Sequence, residues 1–144
     1  MSTDIVCIKE NSTIIQAAAQ MRKCNIGSLP VCDDTGHIKG ILTDRDIVIR
    51  ALSEYADGTA GHLSLKDIKV KDVMSLNPVT VSPDTSIHDA ALNFAFHKIR
   101  RLPVTEASGI VGMLSLGDVA VKPVFIDEAG DALSSISLTD DLQR

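Results

Sequence analysis

The chain contains itself twice. A shift of 73 residues lays Val6–Val31 on Val79–Val104 and makes eight of the 26 aligned positions identical. They are Val6/Val79, Ile14/Ile87, Ala17/Ala90, Ala18/Ala91, Ile26/Ile99, Leu29/Leu102, Pro30/Pro103 and Val31/Val104. Gly36 falls on Gly109 at the same shift; one residue is then lost, and at a shift of 72 Gly40, Leu42 and Asp46 meet Gly112, Leu114 and Asp118. A one-residue gap between two glycines is what a hairpin loop tolerates. Internal repetition of this kind dictates two copies of one supersecondary unit.

Each copy reads in the same order. Val6 and Ile8, like Val79 and Val81, alternate as a short strand. Ser12 or Thr13, and Asp84 or Thr85, offer side-chain oxygens to cap the following helix. Ile14, Ala17, Ala18 and Met21 then stand at i, i+3, i+4 and i+7, as do Ile87, Ala90, Ala91 and Phe94. Leu29–Cys32 and Ile38–Leu42 flank the turn residues Asp33-Asp34-Thr35-Gly36, and Leu102–Thr105 and Ile110–Leu114 flank Ala107-Ser108-Gly109, so both read as hairpins. A second helix is predicted from Asp46 to about Leu52 and from Asp118 to about Val121. The expected organisation is repeat 1 over 1–55, a linker and short helix over 56–74, repeat 2 over 75–122 and a terminal helix and tail over 123–144. Within these, Ser53–Ser64 reads as a loop, Leu65–Met74 as an amphipathic helix and Asp127–Ser137 as the terminal helix.

Composition narrows the function classes. With 44% hydrophobic and 23% charged residues the chain is globular, and 144 residues suffice for a core without staples. A net charge of −5 and 3% aromatics lack the basic footprint and stacking platforms of a nucleic-acid binder. No apolar run is long enough for a membrane span, and no signal peptide is evident, so a cytoplasmic location is expected. Cys7, Cys24 and Cys32 form no CxxC pair and read as small buried hydrophobes in a reducing compartment; no metal site is expected. No nucleophile–base motif, Walker loop or dinucleotide fingerprint is present, so no catalysis is expected. His88 and His97 read as surface residues, and His37 and His62 as solvated loop residues.

The paired segments Gly40-Ile41-Leu42-Thr43-Asp44-Arg45-Asp46 and Gly112-Met113-Leu114-Ser115-Leu116-Gly117-Asp118 both fit G-h-h-[ST]-x-x-D, each behind a Leu-Pro-Val. Two β-α-β-β-α units carrying this motif resemble the CBS domain family, named for cystathionine β-synthase, over about Ile5 to Val121. The resemblance implies an α+β fold in which two CBS repeats pack through their sheets with pseudo-twofold symmetry, the arrangement called a Bateman module.

At such a strand-to-helix junction, backbone N–H groups and a positive helix end suit phosphate, and a carboxylate accepts the hydrogen bonds of ribose hydroxyls. The same [ST]-x-x-D is also a capping box, which stabilises a helix start by about 0.5–2 kcal/mol with no ligand involved. The resemblance implies that Asp46 and Asp118 are ribose residues, with Thr43 and Ser115 near the phosphates. It further implies that each cleft takes its other wall from the partner copy. Cleft 1 would hold Thr43, Arg45 and Asp46 with Val79, Thr80, Val81, Arg100, Arg101 and Leu102. Cleft 2 would hold Ser115 and Asp118 with Ile5, Val6, Cys7, Gly27, Ser28 and Leu29. The arginine forks of the first predict tighter phosphate binding there.

The expected function is therefore a stand-alone regulatory or sensor module that binds an adenine nucleotide (AMP, ADP or ATP) as a regulatory ligand, with no cofactor. S-adenosylmethionine and NAD(H) are other adenosyl ligands the resemblance allows. The alternative is a ligand-free interaction module that docks on an enzyme or channel. The expected partners are the nucleotide, a second copy in a disc-like homodimer and an unidentified effector protein, with neither nucleic acid nor membrane. The dimer is expected to cover Ala90, Ala91, Phe94 and Phe96.

Overall fold

The structure is a computed structural model describing residues 1, 3–56 and 64–120. Of these, the residues within Val6–Pro78 form one compact unit, and Met1–Ile5 together with those from Val79 onward form the other. Both are mixed α and β.

In the first unit, Thr13 caps α1 (Ile14–Cys24): its hydroxyl accepts from the Gln16 N–H and the Gln16 side chain accepts from the Thr13 N–H. This box satisfies two of the donors orphaned at a helix start. The helix buries Ile14, Ala17 and Met21. Ala18, expected on that face, is exposed at the edge of the buried stripe. Asn25 ends the helix in the left-handed conformation, φ 53°. The chain then enters β1 (Ser28–Cys32), which pairs antiparallel with β2 (Ile38–Thr43): Ser28 opposes Thr43, Leu29 Leu42, Pro30 Ile41 and Val31 Gly40.

After β2, α2 (Asp44–Asp46) runs directly into a π-helical segment, Ile47–Leu52, and α3 (Ser53–Ala56). Helix thus extends beyond the expected Leu52 into what the composition suggested was loop; polar residues there mark a solvated helix face. Leu65–Met74 is not one helix. It folds as a 3-10 turn, Leu65–Asp67, and α4 (Val70–Val73), separated by an extended Ile68. Ile68, Val70, Val73 and Met74 join Leu29, Val31, Leu42 and Ile47 in one core, and β3 (Ser75–Leu76) pairs with β2.

The second unit repeats this pattern. Ser86 caps α5 (Ile87–His97), and Lys98 at φ 55° ends it where Asn25 ends α1. β4 (Arg101–Glu106) pairs with β5 (Gly109–Ser115) in the register of β1 and β2: Arg101 opposes Ser115, Leu102 Leu114, Pro103 Met113 and Val104 Gly112. Both hairpins carry a register irregularity just after these pairs, and Gly36 and Gly109 take φ 88° and 124°, which glycine adopts without steric cost. α6 (Leu116–Ala120) closes the unit. The expected first strands are reduced to single parallel bridges, Ile8 to Val31 and Val81 to Val104. Too few residues continue the ladder on either side to make a strand.

Ala90, Ala91 and Phe94 are buried, Phe94 completely, and Ala90 and Phe94 lie in this unit's core. They are not an exposed face awaiting a second copy, as the sequence suggested: Ala90 and Phe94 are turned onto their own unit's core. Phe96, at 80% exposure, and Leu92 are the apolar side chains α5 leaves outside. The expected terminal helix and the glycine-rich part of the 53–64 loop lie outside the described residues.

Candidate functional site

Each G-h-h-[ST]-x-x-D motif ends a strand and opens a helix. Thr43 is extended (φ −113°, ψ 161°), its N–H donates to Asp46 Oδ2 at 2.9 Å, and its Oγ1 accepts from the Asp46 N–H at 3.1 Å. In the second unit the Ser115 N–H donates to Asp118 Oδ2 at 2.8 Å and Ser115 Oγ accepts from the Asp118 N–H at 3.0 Å. Both motifs are thus reciprocal capping boxes, fixing the hydroxyl and carboxylate of each pair on one side of the junction. One carboxylate oxygen is committed to the box. Asp46 Oδ1 lies 3.9 Å from Arg50 Nε, and the terminal amine of Met1 lies 3.8 Å from Asp118 Oδ2. The Asp46 side chain is 14% exposed and that of Asp118 38%.

The junctions are tied to the turn that precedes the first strand of the same hairpin. The Asp44 N–H donates to the Gly27 carbonyl at 2.9 Å, and the equivalent Leu116 N–H to the Arg100 carbonyl at 3.0 Å. In the first unit the Arg45 N–H donates to Asp44 Oδ1 at 2.8 Å. The N–H groups of Asp44, Arg45 and Asp46 are therefore all engaged within the protein. The expectation that they stand open to phosphate is corrected: the carbonyl of Gly27 and two side-chain oxygens take them first.

Within the second unit Arg101 stands opposite Ser115 across β4 and β5, and Arg100 and Arg101 are both exposed. Arg101 Nη1 donates to the Arg100 carbonyl at 3.3 Å. Thr80 is exposed and Val79 half-buried, while Val81 and Leu102 fill the unit's core. In the first unit Gly27 and Cys7 are exposed, Ser28 and Val6 half-buried, and Leu29 is fully inside the core; Ile5, which belongs to the second unit, is half-buried. Leu29, Leu102 and Val81 can present backbone alone, because their side chains are spent on packing. Thr43, Arg45 and Asp46 come together in one unit; Ser115, Asp118, Arg100 and Arg101 come together in the other.

Sequence reasoning missed Arg50, whose guanidinium approaches Asp46 and also donates to the Val73 and Met74 carbonyls at 3.1 and 3.4 Å. The signal was present, since Arg50 stands at i+4 from Asp46. It also missed the meeting of Cys7 with Cys32, Sγ to Sγ 2.9 Å. No local spacing marks that contact. Cys7 is exposed, Cys24 half-buried and Cys32 buried, so only Cys32 fits the reading of buried hydrophobes. Among the described residues no three His, Cys, Asp or Glu side chains are grouped to hold a metal, and no helix is long and apolar enough to cross a membrane. A shallow concavity lies on α5, lined by Leu92, Asn93, Ala95, Phe96 and Lys98, none of them a motif residue.

Two α+β units with one register and one capped motif each define a tandem-repeat protein of the CBS type. The CBS domain family matches residues 1–53 and 70–123, and the chain belongs to it. It is 39% identical over 137 residues to the CBS domain-containing protein YhcV of Bacillus subtilis, covering 95% of this chain and 91% of that protein. Among solved structures it resembles Hypoxic Response Protein I with two coordinated zinc ions (31% identity, TM-score 0.71, 85% of this chain and 93% of that one). It also resembles CBSX2 in complex with AMP (26% identity, TM-score 0.71, 86% of this chain and 90% of that one).

Proposed function

We propose that the protein is a non-catalytic, cytoplasmic regulatory module that binds an adenine nucleotide through Asp46 and Asp118. The observation that carries this is the duplicated junction: each motif holds a carboxylate by one oxygen, in a fixed orientation, beside a hydroxyl. A carboxylate so oriented accepts the paired hydroxyls of a ribose without first losing rotamer freedom. The AMP complex of CBSX2 supports adenine nucleotides as the ligand class. The pairing of Asp46 with Arg100 and Arg101, and of Asp118 with the segments around Cys7 and Ser28, rests on the family resemblance. Output passes through an effector protein or a second copy. Exposed Phe96 and Leu92 on α5, and Val48, Ile49 and Leu52 on the π-helical segment, support the homodimer.

The capping boxes also account for both motifs without a ligand, which favours a purely structural or docking module as the second reading. Titration calorimetry with AMP and ATP separates the two. Asp46→Asn keeps a carbonyl oxygen for the Thr43 N–H but has lost the charge. A hydrogen bond to a charged group contributes about 1.5–3 kcal/mol, so affinity falls roughly 10- to 100-fold if Asp46 holds the ribose. Arg101→Ala weakens the same event, and Asp118→Ala spares it. Absence of any binding heat with the folded wild type refutes nucleotide recognition; loss of the tighter event in Asp118→Ala instead assigns the working cleft to the other repeat.

A further inference from the structure

Cys7 and Cys32, 25 residues apart in sequence, are held together by the backbone. The Ile8 N–H donates to the Pro30 carbonyl and the Cys32 N–H to the Ile8 carbonyl, both at 3.0 Å, so the residue before Ile8 is clamped beside β1. The Cys32 thiol donates to Cys7 Sγ at 2.9 Å. A disulfide needs about 2.05 Å between sulfurs, so closure asks for a movement of under about an ångström. The two environments differ. Cys32 is 2% exposed, whereas Cys7 is exposed. The second repeat carries the same parallel bridge at Val81 and Val104, with Thr80 and Thr105 where the first has Cys7 and Cys32. The fold therefore accommodates this bridge without sulfur, and the thiol pair is not a packing requirement.

We propose that Cys7 and Cys32 form a hydroperoxide-reactive dithiol site, with Cys7 the attacking thiol and Cys32 the resolving one. The Cys7 thiolate attacks one oxygen of hydrogen peroxide; the O–O bond breaks, a sulfenic acid forms and the departing hydroxide leaves as water after taking a proton. Cys32 sulfur then attacks the Cys7 sulfur, the S–O bond breaks, and the Cys32 proton leaves with that hydroxide as a second water. Two thiols and one peroxide give one disulfide and two waters, the sulfurs supplying both electrons. The surroundings suit these roles. The hydrogen bond from Cys32 is the largest influence holding the Cys7 thiol down at about 7, with the Lys9 ammonium adding to it against the opposing effect of burial. Donating that bond, and burial, push Cys32 well above the ordinary thiol range. Near neutral pH the exposed sulfur is the nucleophile and the buried one keeps its proton for the second step. Cys24 lies elsewhere, its Sγ 3.6 Å from Gln20 Nε2. The assignment rests on the thiol geometry and not on nucleotide binding, although Cys7 also stands in the segment proposed to line the cleft of Asp118.

The test treats the reduced full chain, freed of reductant, with stoichiometric hydrogen peroxide. Intact mass is expected to fall by two hydrogens, with non-reducing peptide mapping joining the Cys7 and Cys32 peptides within one chain. Cys24→Ser behaves like wild type. Cys32→Thr, which copies the second repeat's Thr105, stops at the sulfenic acid and is trapped at Cys7 by dimedone. Cys7→Thr gives neither product. A mass unchanged by peroxide, a bond that maps to Cys24, or dimedone capture at Cys32 in place of Cys7 overturns the assignment. Should either threonine variant fail to fold, the wild-type peptide map decides alone.

Discussion

Gly40 and Gly112 occupy the same place in the repeated motif, so sequence predicts the same response to substitution. The structure predicts opposite responses. A Cβ at Gly40 would stand 2.6 Å from the Ser75 carbonyl oxygen and 2.9 Å from Met74 Sδ, against 3.4 Å for ordinary contact. Backbone must therefore yield by about 0.8 Å, at the place where β3 pairs Leu76 with Gly40 and Ser75 with Ile41. Overpacking of this kind costs about 1–3 kcal/mol. Stiffening the unfolded chain returns about 0.4–1 kcal/mol. Gly40→Ala should then destabilise by about 1.3 kcal/mol at mid-range and about 2.6 at most, lowering Tm by about 3–5 °C at mid-range for a chain of this size. At Gly112 the new Cβ meets the thioether of Met1, the far end of a flexible side chain on a residue 56% exposed. That side chain swings aside, and Gly112→Ala should be neutral or stabilising by up to about 1 kcal/mol. Urea melts followed by far-UV circular dichroism measure both, since the chain has no Trp and one Tyr. Equal losses in the two variants, or a larger loss at Gly112, would refute the reasoning.

Thr43→Ala and Ser115→Ala each break a capping box and should cost about 0.5–2 kcal/mol in the same melts. Asp33 accepts the Thr35 hydroxyl at 2.6 Å and the His37 and Thr35 N–H groups at 2.9 Å, which hold its carboxyl down at about 2. Because the folded value lies below the ordinary 3.8, its contribution to stability is whole above 3.8 and is lost as pH falls through about 2. An NMR titration of the Asp33 carboxyl with a midpoint near 4 would contradict this. Phe94→Ala, at a fully buried site, should destabilise by about 3–5 kcal/mol, whereas Phe96→Ala should stay within about 0.5 kcal/mol of wild-type stability. The second variant should instead shift light-scattering mass from that of two chains toward 15.4 kDa if α5 carries the dimer contact.

The repeat and its hairpins were legible because they are local. Leu29, Pro30 and Val31 against Leu42, Ile41 and Gly40 form one strand pair across a short turn, and the same register recurs in β4 and β5. The capping boxes were legible for the same reason, since residues three apart meet at any helix start. Helix faces were harder: Ala18 and Ala91 share a register position, yet the first is exposed and the second buried. Periodicity names a stripe, while its width depends on what packs against it.

Sequence by itself determined the two copies, the helix-hairpin-helix order in each and the paired Thr43/Asp46 and Ser115/Asp118 junctions, all properties carried by spacing along the chain. Tertiary structure alone decided that Ile68, Val70 and Val73 complete the first core, that Gly40 faces backbone while Gly112 faces a flexible side chain, and that Cys7 touches Cys32. These contacts join residues far apart in the chain. Close packing selects such neighbours by shape and by the hydrogen bonds that clamp each segment, neither of which leaves a period in the sequence.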